Sequence, residues 1–209
     1  MSELTTYITL GFHHIVDLNA ADHILFLLAL AAVYRLAEWR SALWVITAFT
    51  LGHSFTLALA VTGALNLPTG LIEFLIPVTI LGTCLENLLA VGRNVSPGRR
   101  RFRAVLAGAF GLVHGAGFAN YLKALFVDRI AVPLFGFNLG IELGQLIILT
   151  VAAFGFVLVD RAIGSVRADP RSAPTRSAPT PTAFRLRVAG VSLVVAVFAA
   201  RMVIERSKW

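Results

Sequence analysis

The chain predicts an all-α fold: a polytopic membrane helix bundle of about six transmembrane helices, with a short interfacial helix at the N-terminus. Three observations predict it. Of 209 residues, 57% are hydrophobic and 14% charged, where a soluble domain carries about 25% charged residues. Mean hydropathy is +0.81. The apolar residues also fall into runs close to the roughly 20 residues that a spanning helix needs. A single transmembrane domain over 1–209 is the natural organisation.

Taken in order, residues 1–16 are too few to span. They suit a half-helix that dips into the outer interface or packs on the bundle. Six spans follow: 20–36, 41–62, 69–91, 102–123, 133–159 and 186–205. Between the last two lies "SVRADPRSAPTRSAPTPTAFR". Its Pro, Ser, Thr and Arg content and the near-repeat "RSAPT" predict a flexible loop over 165–184 without chemistry of its own.

The formal net charge is +7. The basic residues lie mostly between the spans, so membrane topology explains them and no nucleic-acid partner is expected. Arg35, Arg40, Arg93, Arg99, Arg100, Arg101, Arg103, Arg161, Arg167, Arg171, Arg176, Arg185 and Arg187 fall on one side. Lys123, Arg129, Arg201, Arg206 and Lys208 fall on the other. The positive-inside rule then places both termini outside. No signal peptide is expected, because no basic n-region precedes a cleavage site. Cys84 is the one cysteine, which excludes a disulfide framework, a CxxC redox pair and a thiolate metal cluster.

Polar groups inside the spans carry the functional signal. A central Asp costs roughly 2.5–3.5 kcal/mol on insertion scales, so it stays only if paired, solvated or metal-bound. "GFHHIVDLNAADHILFLLALAAVYR" opens the chain with His13, His14, Asp17, Asn19, Asp22 and His23. His53, Glu73, Glu86, Asn87, His114, Asn138, Glu142 and Gln145 lie within later spans. Residues three or four apart share a helix face. That pairs Asn19 with Asp22 and His23, pairs His14 with Asp17, and makes Asn138, Glu142 and Gln145 one stripe. Gly136, Gly140 and Gly144 repeat every fourth residue, as do Gly111 and Gly115. Such small-residue faces let helices approach closely, within the chain or in a homo-oligomer, and predict that His114 comes near Glu142. Pro77 predicts a kink and a freed backbone carbonyl.

At these residues the chain resembles the HupE/UreJ family of small bacterial membrane proteins, in particular its second subgroup. The segments that carry the resemblance are "HHIVDLNAADHILFLLAL", "TAFTLGHSFTLALA", "IEFLIPVTILGTCLENLLA", "FGLVHGAGFA" and "FGFNLGIELGQL". They occur in order and leave out only the Pro/Ser linker and the last helix. Asp22-His23 and Leu51-Gly52-His53-Ser54 are also similar to motifs of the nickel/cobalt transporters. The chain departs from the family pattern at "NAADH", where Gly tends to precede the Asp-His pair. It departs again at "HGAGFA", which lacks an acid after the His-Gly pair.

The resemblance implies nickel supply to metalloenzymes, and hence a permease for a divalent transition metal ion, Ni, Co or Zn, in the lipid bilayer. Imidazole with carboxylate suits such borderline ions better than Mg or Ca. On this reading His13, His14 and Asp17 capture the ion, and Asp22, His23 and His53 form a first site. Glu73, Glu86, His114 and Glu142 line its continuation. Asn138 and Gln145 orient ligands from behind, with Asn19 and Asn87 in similar supporting places. Two rivals stay open. One is a zinc-type membrane hydrolase holding its metal with His23, His53, His114 and Asp22, and using Glu142 as base. The other is a proton-coupled carrier built on Glu–His relays.

Overall fold

The computed structural model describes residues 2–91, 97–125, 130–166 and 181–207, with only the backbone at 97–99, 119–121, 123–125 and 166. Among them are seven α-helices and no strand. The helices are α1 (Glu3–Val16), α2 (Asp22–Ala31), α3 (Trp39–Val61), α4 (Thr69–Ala90), α5 (Pro97–Leu125), α6 (Ala131–Val166) and α7 (Pro181–Arg206). A 3-10 turn, Leu36–Glu38, leads into α3.

The helix boundaries follow ordinary local chemistry. Ser2 caps α1, its Oγ accepting the Thr5 amide at 3.3 Å. Pro97 and Pro181 open α5 and α7, where a missing N–H costs nothing. Gly63, at φ +79°, stops the chain just after α3, in the left-handed conformation that glycine adopts without a Cβ penalty. The 165–184 segment divides: Ser165 and Val166 close α6, residues 181–184 open α7, and 167–180 lie outside the described residues.

Among the described residues, four helical segments are long and apolar enough to cross a membrane: Leu36–Val61, Thr69–Ala90, Ala131–Ser165 and Pro181–Arg206. They correspond to the expected spans 41–62, 69–91, 133–159 and 186–205. Helix α5 has 29 residues and covers the expected span 102–123. The expected 20–36 span is shorter than the sequence suggests, since α2 has ten residues and rises only about 15 Å.

Helix α2 is preceded by α1 running in the same sense along α6. Leu4 meets Gly136, Ile8 meets Gly140 and Ile15 meets Gly144. Further along, Ala31 and Ala32 cluster with Ala152 and Phe156. The two short helices therefore descend α6 in series, broken at 17–21. Around α2, the helices close a ring in the order α3, α5, α4, α7, α6 and back to α3. Most of α2 is buried inside it, including Asp22, His23, Phe26, Leu27 and Leu30.

Glycines set the closest contacts. A Cβ on Gly52, Gly111 or Gly115 would run into carbonyl oxygens across the α3–α5 seam, those of Gly108, Phe49 and His53. A Cβ on Gly11 or Gly140 would do the same across α1–α6, against Phe137 and Ile8. The small-residue faces are thus used inside the chain, and they join other partners than the sequence suggested. The α5 glycines bring His114 to α3, and the α6 glycines face α1. His114 does not meet Glu142, which is exposed. At 100° per residue Glu142 lies about 200° from Gly140, on the far side of α6 from α1.

At the end of the bundle away from His23, ion pairs are buried. Arg103 pairs with Glu86 and donates to Asn87 Oδ1 at 3.1 Å. Asn87 Nδ2 in turn donates to the Ala29 carbonyl at 2.6 Å and to Ser192 Oγ at 3.1 Å. Arg187 lies 3.2 Å from Asp160 Oδ1 and donates to the Tyr34 carbonyl. Breaking a pair of this kind by removing one partner strands a buried charge.

Candidate metal centre

Three elements converge on one point. His14 comes from the last turn of α1, His23 from the first turn of α2 and His53 from within α3. One ring nitrogen from each lies within 4.8 Å of the other two. The break at 17–21 folds His14 back on His23, with ring centroids 4.6 Å apart. His53 lies 6.1 Å from each by the same measure.

A fourth imidazole stands beside them. The α3–α5 seam at Gly115 sets His114 next to the His53 backbone, and its ring centroid is 5.3 Å from that of His23. Its Nε2 is fixed by Thr79 Oγ1 at 3.0 Å. Thr79 Oγ1 also donates to the Ile76 carbonyl at 2.6 Å, so its one hydrogen is committed to whichever acceptor it faces.

The surroundings are apolar. Phe118 and Phe137 stack on each other, and the His14 ring lies 4.0 Å from Phe118. Phe26 and Phe49 flank His114 at 5.3 and 5.2 Å. His53 is 0% exposed, His114 1% and His23 4%.

Against that burial, the nitrogens go unpaired. His14 Nε2, His23 Nε2, both nitrogens of His53 and His114 Nδ1 are buried without a hydrogen-bond partner. Each unsatisfied group costs roughly 1–3 kcal/mol, and native structures keep such groups rare. Several at one point are explained most simply by a ligand that takes nitrogen lone pairs. Asp22 supplies the adjacent negative charge: its Oδ1 accepts the His23 amide at 3.0 Å and lies 3.2 Å from His23 Nδ1. Imidazoles plus one carboxylate, without thiolate, fit a borderline divalent ion.

The HupE / UreJ protein family model matches residues 1–206. The chain belongs to the HupE/UreJ family. No curated protein and no solved structure gave a match. The family match runs from α1 to the end of α7, so every helix that builds the histidine cluster lies within it.

In this HupE/UreJ protein the other candidate residues are dispersed. Glu142 is exposed, and so is the side chain of Glu73. Glu86 and Asn87 belong to the Arg103 network at the opposite end. None of Glu73, Glu86 and Glu142 joins the three-histidine group. Asn138 accepts from Ser54 at 2.7 Å and Gln145 from Thr50 at 2.9 Å, so both tie α6 to α3. His13 is exposed, its ring edge-on to Phe12. Helix α1 ends at Val16, which leaves Asp17 off the His14 face. Asp17 Oδ1 accepts both the backbone amide and Nδ2 of Asn19. Asn19 thus sits in the loop and not on the Asp22–His23 face.

Sequence reasoning passed over two residues here. Thr79 lies one turn from none of the candidate residues in the sequence, yet it holds His114 Nε2 at 3.0 Å. Arg206 read as a topology charge, although its Nη1 lies 3.6 Å from Asp22 Oδ2. Pro77 was the available signal for Arg206, through the carbonyl it frees.

Proposed function

We propose that the protein is a permease for a divalent transition metal ion, with nickel favoured and cobalt or zinc as alternatives, and that His14, His23 and His53 form its central binding site. The observation that carries this reading is the convergence of three buried imidazoles with unpaired nitrogens. His114 is the fourth nitrogen available to the ion, and Asp22 the carboxylate that offsets its charge. Asp17, Asn19 and His13, exposed beside the break, are the entrance. A carrier must also release its ion, and mixed N/O ligands bind less tightly than thiolates.

The reading extends to topology. Together α1 and α2 make one discontinuous crossing, and α3 to α7 make five more. Non-helical backbone inside a bilayer is tolerated where it lines a cavity or is buried in protein, and transporters place ion sites at such breaks. The arginine-rich end, closed by the Arg103 and Arg187 pairs, then faces the cytoplasm of a bacterial inner membrane. The histidine site opens toward the outside, where both termini lie.

The test is uptake of Ni, Co and Zn into proteoliposomes by wild type, His23→Ala and Glu142→Ala. The permease reading expects saturable flux that His23→Ala abolishes and Glu142→Ala retains. Tight stoichiometric binding without flux would overturn it.

A further inference from the structure

Pro77 lacks an amide hydrogen, so the carbonyl four residues earlier in α4, that of Glu73, has no helical donor. Arg206, the last residue of α7, supplies one: its Nη1 donates to the Glu73 carbonyl at 3.2 Å. The same Nη1 lies 3.6 Å from Asp22 Oδ2. The other oxygen of Asp22 serves His23. One carboxylate therefore stands between a guanidinium and an imidazole of the metal cluster. The Asp22 side chain is 10% exposed and that of Arg206 29%, so the arginine has a way out and the aspartate does not.

We infer that Arg206 is the resident counter-ion of the metal site, holding the Asp22 carboxylate until an incoming divalent cation displaces it. The inference rests on the permease reading. A buried carboxylate needs a compensating cation, and Arg206 meets that need before metal arrives. A guanidinium does not deprotonate, so it yields the carboxylate only by moving. Two cations at one partly buried carboxylate repel strongly at the low local dielectric. Metal entry and arginine departure are thereby coupled. The Glu73 carbonyl gives Arg206 a fixed station to return to, which helps the ion leave. Arg206 acts on the ion through Asp22 and is a positioning residue.

Equilibrium Co²⁺ binding to the purified full-length chain, read by visible absorption, tests this. Removing the competitor should tighten binding: Arg206→Gln is expected to lower the Kd at least about tenfold and to slow Co²⁺ release in proteoliposomes. Arg206→Lys, which keeps the charge, should stay near wild type. Arg206→Met should behave like Arg206→Gln, so a folding failure of one leaves the other to decide. In an Asp22→Asn background the Arg206→Gln effect should vanish, whereas a merely structural arginine would shift both backgrounds alike. Unchanged or weaker Co²⁺ binding by folded Arg206→Gln and Arg206→Met would overturn the inference. If wild type binds Co²⁺ and His23→Ala does not, that result leaves the permease reading standing. A wild-type protein that binds no Co²⁺ would overturn both.

Discussion

Gly115→Ala puts the helix seam behind the metal site to a quantitative test. The added Cβ would lie 2.9 Å from both Cα and the carbonyl carbon of His53, and closer to its oxygen. Ordinary contact begins near 3.4 Å. The obstacle is backbone, so no side chain can rotate away, and α5 must retreat from α3 by about an ångström to clear the carbonyl oxygen. Overpacking of this kind costs about 1–3 kcal/mol. Alanine in a helix returns about 1 kcal/mol relative to glycine. A net loss of about 0–2 kcal/mol is therefore expected, against a gain of about 1 kcal/mol at an open glycine, with His114 moved off His53. Gly155→Ala and Gly190→Ala are the controls, because a Cβ there meets nothing within 4 Å; they should be neutral or stabilising. Thermal melts in detergent, paired with Co²⁺ titrations, give both readouts. The packing argument fails if Gly115→Ala melts with the controls and binds Co²⁺ as wild type does.

Four further outcomes are expected. His53→Ala should weaken Co²⁺ binding by more than about 100-fold, beyond the 10–100-fold typical of residues that only orient a ligand. Glu142→Ala should leave it within roughly twofold, as for other exposed sites. Isothermal titration checks both. Thr79→Val removes the partner of His114 Nε2 and should cost about tenfold in affinity, with a lower melting temperature from the roughly 1–3 kcal/mol that an unpaired buried nitrogen costs. Arg103→Ala removes the ion pair to Glu86 and the donor to Asn87 Oδ1. It should destabilise the fold by about 3–5 kcal/mol, seen as a lower melting temperature or loss of folded protein on size exclusion.

Much of the helical layout is legible in the sequence because apolar run length is a local property. Spans 41–62 and 69–91 end within two residues of α3 and α4. The break at 17–21 is legible as the gap between the expected segments 1–16 and 20–36, but the length of α2 and its placement are not. Residues 20–36 are apolar enough to read as one helix, and only packing against α6 shows that α1 and α2 share a descent. The histidines are readable as a group because none of them sits in a basic loop. The acids mislead, since intramembrane carboxylates have two fates that composition does not separate. Glu86 is matched to Arg103, five residues before Gly108 on another helix. Glu142 sits just beyond the buried arc of α6, some 40° past Asn138 on a helix of 100° per residue. Such differences are set by helix rotation, which a stripe of polar residues constrains only loosely. The Arg206 contact joins the end of α7 to the starts of α2 and α4, and no local pattern encodes that.

X-ray absorption on nickel-loaded protein tests the central claim most directly. The account predicts one ion per chain with at least three imidazole nitrogens in its coordination shell, and loss of that ion in the His14→Ala/His23→Ala/His53→Ala triple variant. An all-oxygen shell, or equal nickel occupancy in the triple variant, would contradict it.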